Sequence, residues 1–276
     1  MKRLEEQAVL VTGATDGLGR GVATELARDG ATVLVHGRSP ERLEATIASL
    51  RSDTGADVRG YRADFASLDE VRRMADEIVE REPRLDVLVN NAGIGTTLPG
   101  DGERMVSADG HELRFAVNYL AGFLLTRRLE EKIVRSAPAR IVNVSSAGQA
   151  PIDFDDVMLE RGYTGVQAYC QSKLAQVMFT FDLAEELRDR GVTATCLHPA
   201  TYMPTKMVLH ARGSAVSPLE DGVRATVRLA AASELDGVTG RYFFGEDEAE
   251  AEAQAYDPDA RTRLRRLAEQ LTAVAA

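Results

Sequence analysis

A short apolar run, Ala8-Val9-Leu10-Val11-Thr12, opens directly onto Gly13-Ala14-Thr15-Asp16-Gly17-Leu18-Gly19. A segment over 20–29 then spaces Val22, Ala23, Leu26 and Ala27 as one face of a helix. Glycine lets the backbone turn sharply and approach a ligand closely, and the free N–H groups at a helix start attract anions. The glycine spacing alone also fits a tight turn with no ligand. In the order strand, glycine turn, helix it points to a nucleotide phosphate.

The same alternation continues along the chain. Further strands are expected over 32–36, 57–62, 85–89, 140–144, 192–197 and 241–244. Between them, Ser39 caps a helix with Pro40 at its first position, and Ser67 caps another through Arg81. A long helix over 111–136 carries Asn118, and others follow Tyr169, Pro218 and Asp259. The last places Leu264, Leu267 and Leu271 on one face. This pattern predicts an α/β fold: a Rossmann-type doubly wound parallel sheet of about seven strands, helices on both faces, and ligands at the strands' carboxyl ends. With no linker or repeat, one domain is expected over 1–276, the acidic segment 245–257 and the helix over 259–273 packing on or beside it. The acidic run itself, Gly245 to Glu252, reads as solvated surface.

Composition removes several classes of function. The 276 residues carry a formal net charge of −10, the opposite of a nucleic-acid footprint. Two cysteines, Cys170 and Cys196, cannot build a disulfide framework, and no CxxC or His/Cys cluster predicts a metal. The amino terminus lacks an apolar signal core, and no apolar run approaches the ~20 residues needed to span a bilayer. A soluble, cytoplasmic protein with no membrane partner is the expectation.

The chemistry converges on Tyr169-Cys170-Gln171-Ser172-Lys173. A tyrosine and a lysine four apart on a helix lie one turn apart on the same face. A phenol of pKa ~10 is a poor acid at neutral pH. A nearby ammonium pulls that value toward what proton transfer needs. Taken alone, the spacing is common on solvated helices. A loop of about 20 residues precedes it, a length that usually signals function. At the end of the second strand, His36-Gly37-Arg38-Ser39 offers no carboxylate for ribose hydroxyls. Arg38 instead suits a 2′-phosphate, with Ser39 adding a hydrogen bond and Asp16 working against it.

Together, Thr12-Gly13-x-x-x-Gly17-x-Gly19, Asp64, Asn90-Asn91-Ala92-Gly93, Asn118, Ser145-Ser146 and Tyr169-x-x-x-Lys173 resemble the short-chain dehydrogenase/reductase family, single-domain type. Two stretches, 108–126 and 168–175, resemble its retinol-dehydrogenase-like branch. That branch often carries a membrane-anchoring segment, which is not expected in this sequence, so the resemblance does not extend to retinoid chemistry.

The resemblance implies an NADPH-dependent oxidoreductase, NADPH being favoured over NADH, that reversibly reduces a ketone or aldehyde. Tyr169 would be the general acid, with Lys173 lowering its pKa and binding the nicotinamide ribose. Ser146 would hold the substrate oxygen, Ser145 remaining an alternative, and Asn118 would order a water linking Lys173 to solvent. Cofactor contacts fall to Gly13, Thr15, Asp16, Gly17, Leu18 and Gly19; to Arg38, Ser39, Asp64 and Phe65; to Asn91, Ala92 and Gly93; and to Pro199, Ala200 and Thr201, beside Tyr169 and Lys173. The family usually has Pro-Gly where this chain has Pro199-Ala200, so alanine would be strained there if the backbone needs positive φ.

Loops over 94–105, 148–167 and 202–216 are expected to wall the pocket. Their Ile152, Phe154, Met158, Tyr163, Tyr202, Met203, Met207 and Leu209 suggest a bulky, mostly apolar substrate. A homodimer or homotetramer is the assembly the resemblance suggests. Two other readings stand beside the enzyme: a catalytically silent dinucleotide sensor, and a redox-neutral biosynthetic step.

Overall fold

The computed structural model describes residues 2–274. Its first strand, β1 (Ala8–Val11), is buried along its whole length. A continuous apolar run behaves this way when both faces of a parallel sheet are covered. There follow α1 (Gly17–Arg28), β2 (Thr32–Gly37), α2 (Pro40–Thr54), β3 (Val58–Arg62), α3 (Leu68–Arg81) and β4 (Val87–Asn90). Ser39 accepts from Arg42 N at the head of α2, where Pro40 opens the helix, and Ser67 accepts from Glu70 N at the head of α3. Both caps satisfy N–H groups that the first turn leaves unpaired.

The second half adds α4 (Leu113–Phe115), a π-helical turn (Ala116–Leu120), α5 (Ala121–Arg135), β5 (Ala139–Val144) and α6 (Gly165–Glu186). After these come β6 (Val192–His198), α7 (Lys206–Arg212), α8 (Leu219–Ala231), β7 (Arg241–Phe244), β8 (Asp247–Ala249) and α9 (Pro258–Thr272). The sheet runs β3-β2-β1-β4-β5-β6-β7-β8, so strand order reverses between β1 and β4. Residues of α1, α2 and α8 close one face, and residues of α3, α5, α6 and α9 close the other.

Two features differ from expectation. The sheet has an eighth strand, antiparallel to β7, made from part of the acidic run. Gly245, at φ 60°, turns the chain back so that Phe244 faces Asp247 and Tyr242 faces Ala249. An edge strand tolerates this charge because one side meets only water, and Arg241 pairs with Glu248 at 3.2 Å. The expected long helix over 111–136 is broken by the π-helical turn at Ala116–Leu120. Such a turn widens a helix by one residue, usually where a side chain has work to do. Asn118 lies in its middle.

Candidate functional site

The glycine loop is pressed against the end of β4. Gly13 has φ +66°, and a Cβ there would stand 2.9 Å from Ala92 Cα. A Cβ on Gly19 would meet both Gly13 O and Asn91 Nδ2 at 2.4 Å, so only glycine fits. Thr12 Oγ1 accepts from Asn91 N and Ala92 N at 2.9 and 3.0 Å, while Asn91 Nδ2 donates to Thr12 O at 2.8 Å. From beneath, buried His36 accepts from Gly13 N at Nδ1 (3.1 Å), and its Nε2 bonds Ala63 O at 3.0 Å. Burial pulls its pKa down to about 4, so the ring is neutral, with its proton on Nε2 facing the carbonyl. Phe65 stacks on His36 at 4.2 Å. Phe65 and Leu18 therefore keep their side chains in the core and offer a ligand only backbone. Asp64 is half-buried, its Oδ1 accepting from Ala66 N at 3.0 Å in a local turn.

The adenosine end is basic. Arg38 is exposed, and its guanidinium makes no ion pair among the described residues. Asp16 caps α1 and is paired twice, with Arg42 and with Lys206, each at 2.8 Å. Its pKa is lowered chiefly by the Lys206 hydrogen bond, with Gly17 N–H and Arg42 adding to it. Arg42 also donates to Thr15 O at 3.2 Å. It is a basic group at the glycine loop that spacing along the chain did not reveal. Ser39 is committed to Glu41 (2.8 Å) and to its capping bond, which argues against the extra phosphate contact expected of it.

Tyr169 and Lys173 project from α6, which Thr164 caps and which is buried nearly all round, as a helix without a polar stripe must be. Lys173, 5% exposed, donates to Val144 O at 3.0 Å and Gln176 Oε1 at 2.8 Å. Its Nζ lies 5.8 Å from the centre of the Tyr169 ring. Asn118 accepts from Ile94 N at 2.8 Å and donates to Ile94 O (3.1 Å) and Ser172 Oγ (2.9 Å). A Cβ on Gly93 would stand 3.2 Å from Asn118 Oδ1 and 3.5 Å from Lys173 Nζ, so both side chains close around that residue.

The two serines separate cleanly. Ser145 Oγ donates to Lys173 O at 2.8 Å, a structural tie from β5 to α6. Ser146 Oγ and the Tyr169 ring come together over Gly148, where a Cβ would stand 3.6 Å from the one and 3.7 Å from the other. Burial raises the Tyr169 pKa, and Ser146 is what opposes the rise. The ammonium expected to lower it is itself pulled down to about 7 by burial and directed at two other oxygens.

Ala200 is absent from the left-handed residues, so the strain foreseen there does not occur. The positive φ falls instead on Tyr202, at 50°. Thr201 Oγ1 bonds His198 Nε2 at 3.1 Å.

The expected pocket walls are only partly so. Ile152, Phe154 and Met158 pack into or against the core, because a long apolar loop buries its own side chains under itself. Tyr163 joins fully buried Arg114 (2.7 Å) and Glu112 (3.0 Å), and Arg114 pins Gly95 O at 2.7 Å and Thr96 O at 3.0 Å. An open hollow of about 370 Å³ is lined by Ala147, Gln149, Tyr242, Phe244 and residues 249–252, with neither Ser146 nor Tyr169 in its wall. The last four positions lie far along the chain, and only the strand order brings them here.

A glycine loop at the crossover point, and a half-buried tyrosine one helical turn from a buried lysine, suit an NAD(P)-dependent oxidoreductase acting on an alcohol–carbonyl pair. The chain belongs to the short chain dehydrogenase family, whose pattern matches residues 7–213. Retinol dehydrogenase 13 of Homo sapiens is 37% identical to it, over 94% of this chain and 82% of that protein. An uncharacterised protein of Mycobacterium paratuberculosis superposes with a TM-score of 0.78 at 29% identity, over 97% of this chain and 94% of the other. A short chain dehydrogenase of Shigella flexneri, solved with NADP, gives 0.72 at 26% identity, over 88% of this chain and 98% of the other. Among the described residues, no helix is long and apolar enough to cross a membrane.

Proposed function

We propose that this protein uses NADPH to reduce a bulky, largely apolar ketone or aldehyde, reversibly, in the cytoplasm. One observation carries the reading: Ser146 Oγ meets the Tyr169 ring over Gly148, while Lys173 and Asn118 close on Gly93. A dinucleotide sensor has no use for that set.

Gly13 and Gly19 leave a cradle that any Cβ would fill, and Arg38 is available for a 2′-phosphate. The loop ends at Asn91-Ala92-Gly93 and Pro199-Ala200-Thr201 flank the same region. When bound, the cofactor supplies the hydride. Tyr169, protonated at neutral pH as an ordinary phenol of pKa ~10 is, delivers the proton to the substrate oxygen. Ser146, which faces the phenol in the free protein, turns its single hydroxyl hydrogen to that same oxygen when substrate is bound. Lys173, titrating near 7, is the proton reservoir behind the phenol, and Asn118 holds the Ile94 turn that borders it. Exposed Tyr202, Leu209 and Phe244 support an apolar substrate.

The test is NADPH oxidation across a panel of nonanal, all-trans-retinal, cyclic ketones and quinones. All-trans-retinal is included because the relatives are named for retinol. Turnover should favour large apolar carbonyls. Tyr169→Phe should keep NADPH binding and lose at least ~10²-fold in kcat, the usual scale for a lost general acid. NADPH binding with no turnover of any member would support the sensor instead.

A further inference from the structure

The chain after β6 reaches back to the candidate serine. Tyr242, in β7 and 3% exposed, donates its phenol hydrogen to Ser146 O at 3.1 Å. Gln149 Nε2 donates to the same carbonyl at 2.9 Å, and Gln149 Oε1 accepts from Glu252 N at 2.9 Å. Two residues on, Gln254 brackets Ile152, accepting from its N at 2.7 Å and donating to its O at 3.2 Å. Ser146 Oγ is held at its other end, accepting from Gly148 N at 3.1 Å.

A carbonyl oxygen with both lone pairs filled fixes the plane of its peptide. With that plane set, and one Oγ lone pair taken by Gly148 N–H, the serine hydroxyl has little choice of direction. The phenol of Tyr242 is committed to the carbonyl and takes no part in the chemistry itself. The β7–β8 turn, β8 and the return through residues 250–254 are what carry Glu252 to Gln149.

We propose that Tyr242 and Gln149, the latter tethered by Glu252, are positioning residues that aim Ser146 Oγ at Tyr169. The segment 241–254 thereby sets the geometry of the reacting group rather than only covering it. This rests on the role given to Ser146 above.

Tyr242→Phe keeps the ring and removes only the hydroxyl. Gln149→Met, a second probe of similar length and no charge, removes the donor to Ser146 O together with the acceptor for Glu252 N. The decisive readout needs no substrate. The tyrosinate absorbance that disappears when Tyr169→Phe is added to each background reports the titration of Tyr169 alone.

Both variants should move that titration upward, in the direction of Ser146→Ala, and add nothing in the Ser146→Ala background, since residues acting through one group are non-additive. On the panel substrates, kcat should fall about tenfold, less than the ~10²-fold cost of a fully misplaced group, with the NADPH dissociation constant unchanged. If Ser146→Ala shifts the titration while Tyr242→Phe and Gln149→Met lower only the melting temperature, the two residues are props and the inference fails alone. Effects that add to those of Ser146→Ala would likewise overturn it. A silent Ser146→Ala would overturn the role of the serine and this inference together.

Discussion

At the end of β2, one guanidinium is unpaired among cations that have partners. Arg42 and Lys206 hold Asp16, Arg62 holds Glu70 at 3.8 Å, and Arg38 has no carboxylate partner among the described residues. The Arg38 backbone is nonetheless anchored, its carbonyl accepting from Arg62 Nε at 3.1 Å. The carboxylate that would repel a phosphate, Asp16, is neutralised from two sides, which removes the objection drawn from its position. Arg38→Ala should therefore weaken NADPH by about 2 kcal/mol, within the range for hydrogen bonds to charged groups, and barely change NADH. Fluorescence titration of both cofactors measures it. Equal losses, or a wild type that prefers NADH, would show that Arg38 does not read the phosphate. The lack of an acid at this strand end was legible in the residues. That Asp16 is shared between α2 and α7 was not, because it depends on how two helices come to rest over one loop.

Among the helices, α7 has the weakest hold on the molecule, since none of its residues is buried. It is attached by its edges: Lys206 to Asp16, His210 to Asp101 at 3.4 Å, Met207 against Gly95, and Arg212 over the Tyr202 ring at 4.0 Å. Exposed ion pairs contribute roughly 0–1 kcal/mol each, so such a helix opens without the rest. Hydrogen exchange should find residues 206–212 faster than α6, and slower once NADPH binds. Lys206→Ala should speed that exchange and leave the global melting temperature in place. Protection equal to that of α6 would refute the loose attachment. Elements with a strong period were readable, such as β1 and β2 as unbroken apolar runs. Three things were hidden. The π-helical turn at Asn118 leaves the apolar spacing almost intact, and β8 is an edge strand built of acids. The Ser145–Lys173 bond, which ties up one of the two candidate serines, is a contact between β5 and α6 that neighbouring positions in the sequence do not show.

For the molecule as a whole, the doubly wound order follows from alternating strands and helices, and eight strands rather than seven change only one edge. What alternation along the chain cannot show is which distant residues the sheet gathers, as it gathers Tyr242 to Ser146 or His36 to Gly13. The histidines make the whole fold sensitive to acid. His36 and His198 are each pulled down to about 4 by burial, against an ordinary value of 6.5. Between those values the unfolded chain binds more protons than the folded one. The stabilisation is thus complete above pH 6.5 and is lost as pH falls toward 4. Asp182 works in the opposite sense, its pKa raised to about 6 by burial despite Arg265 and Arg261, and so partly offsets the loss. Each pKa unit is worth about 1.4 kcal/mol, which puts the His36 contribution at about 3 kcal/mol. His36→Gln can still accept from Gly13 N and donate to Ala63 O but cannot titrate. Urea unfolding at pH 7 and pH 4.5 should show wild type losing about 2 kcal/mol more than this variant, which begins less stable and declines less. Parallel declines in the two proteins would mean that the buried imidazole is not what acid attacks.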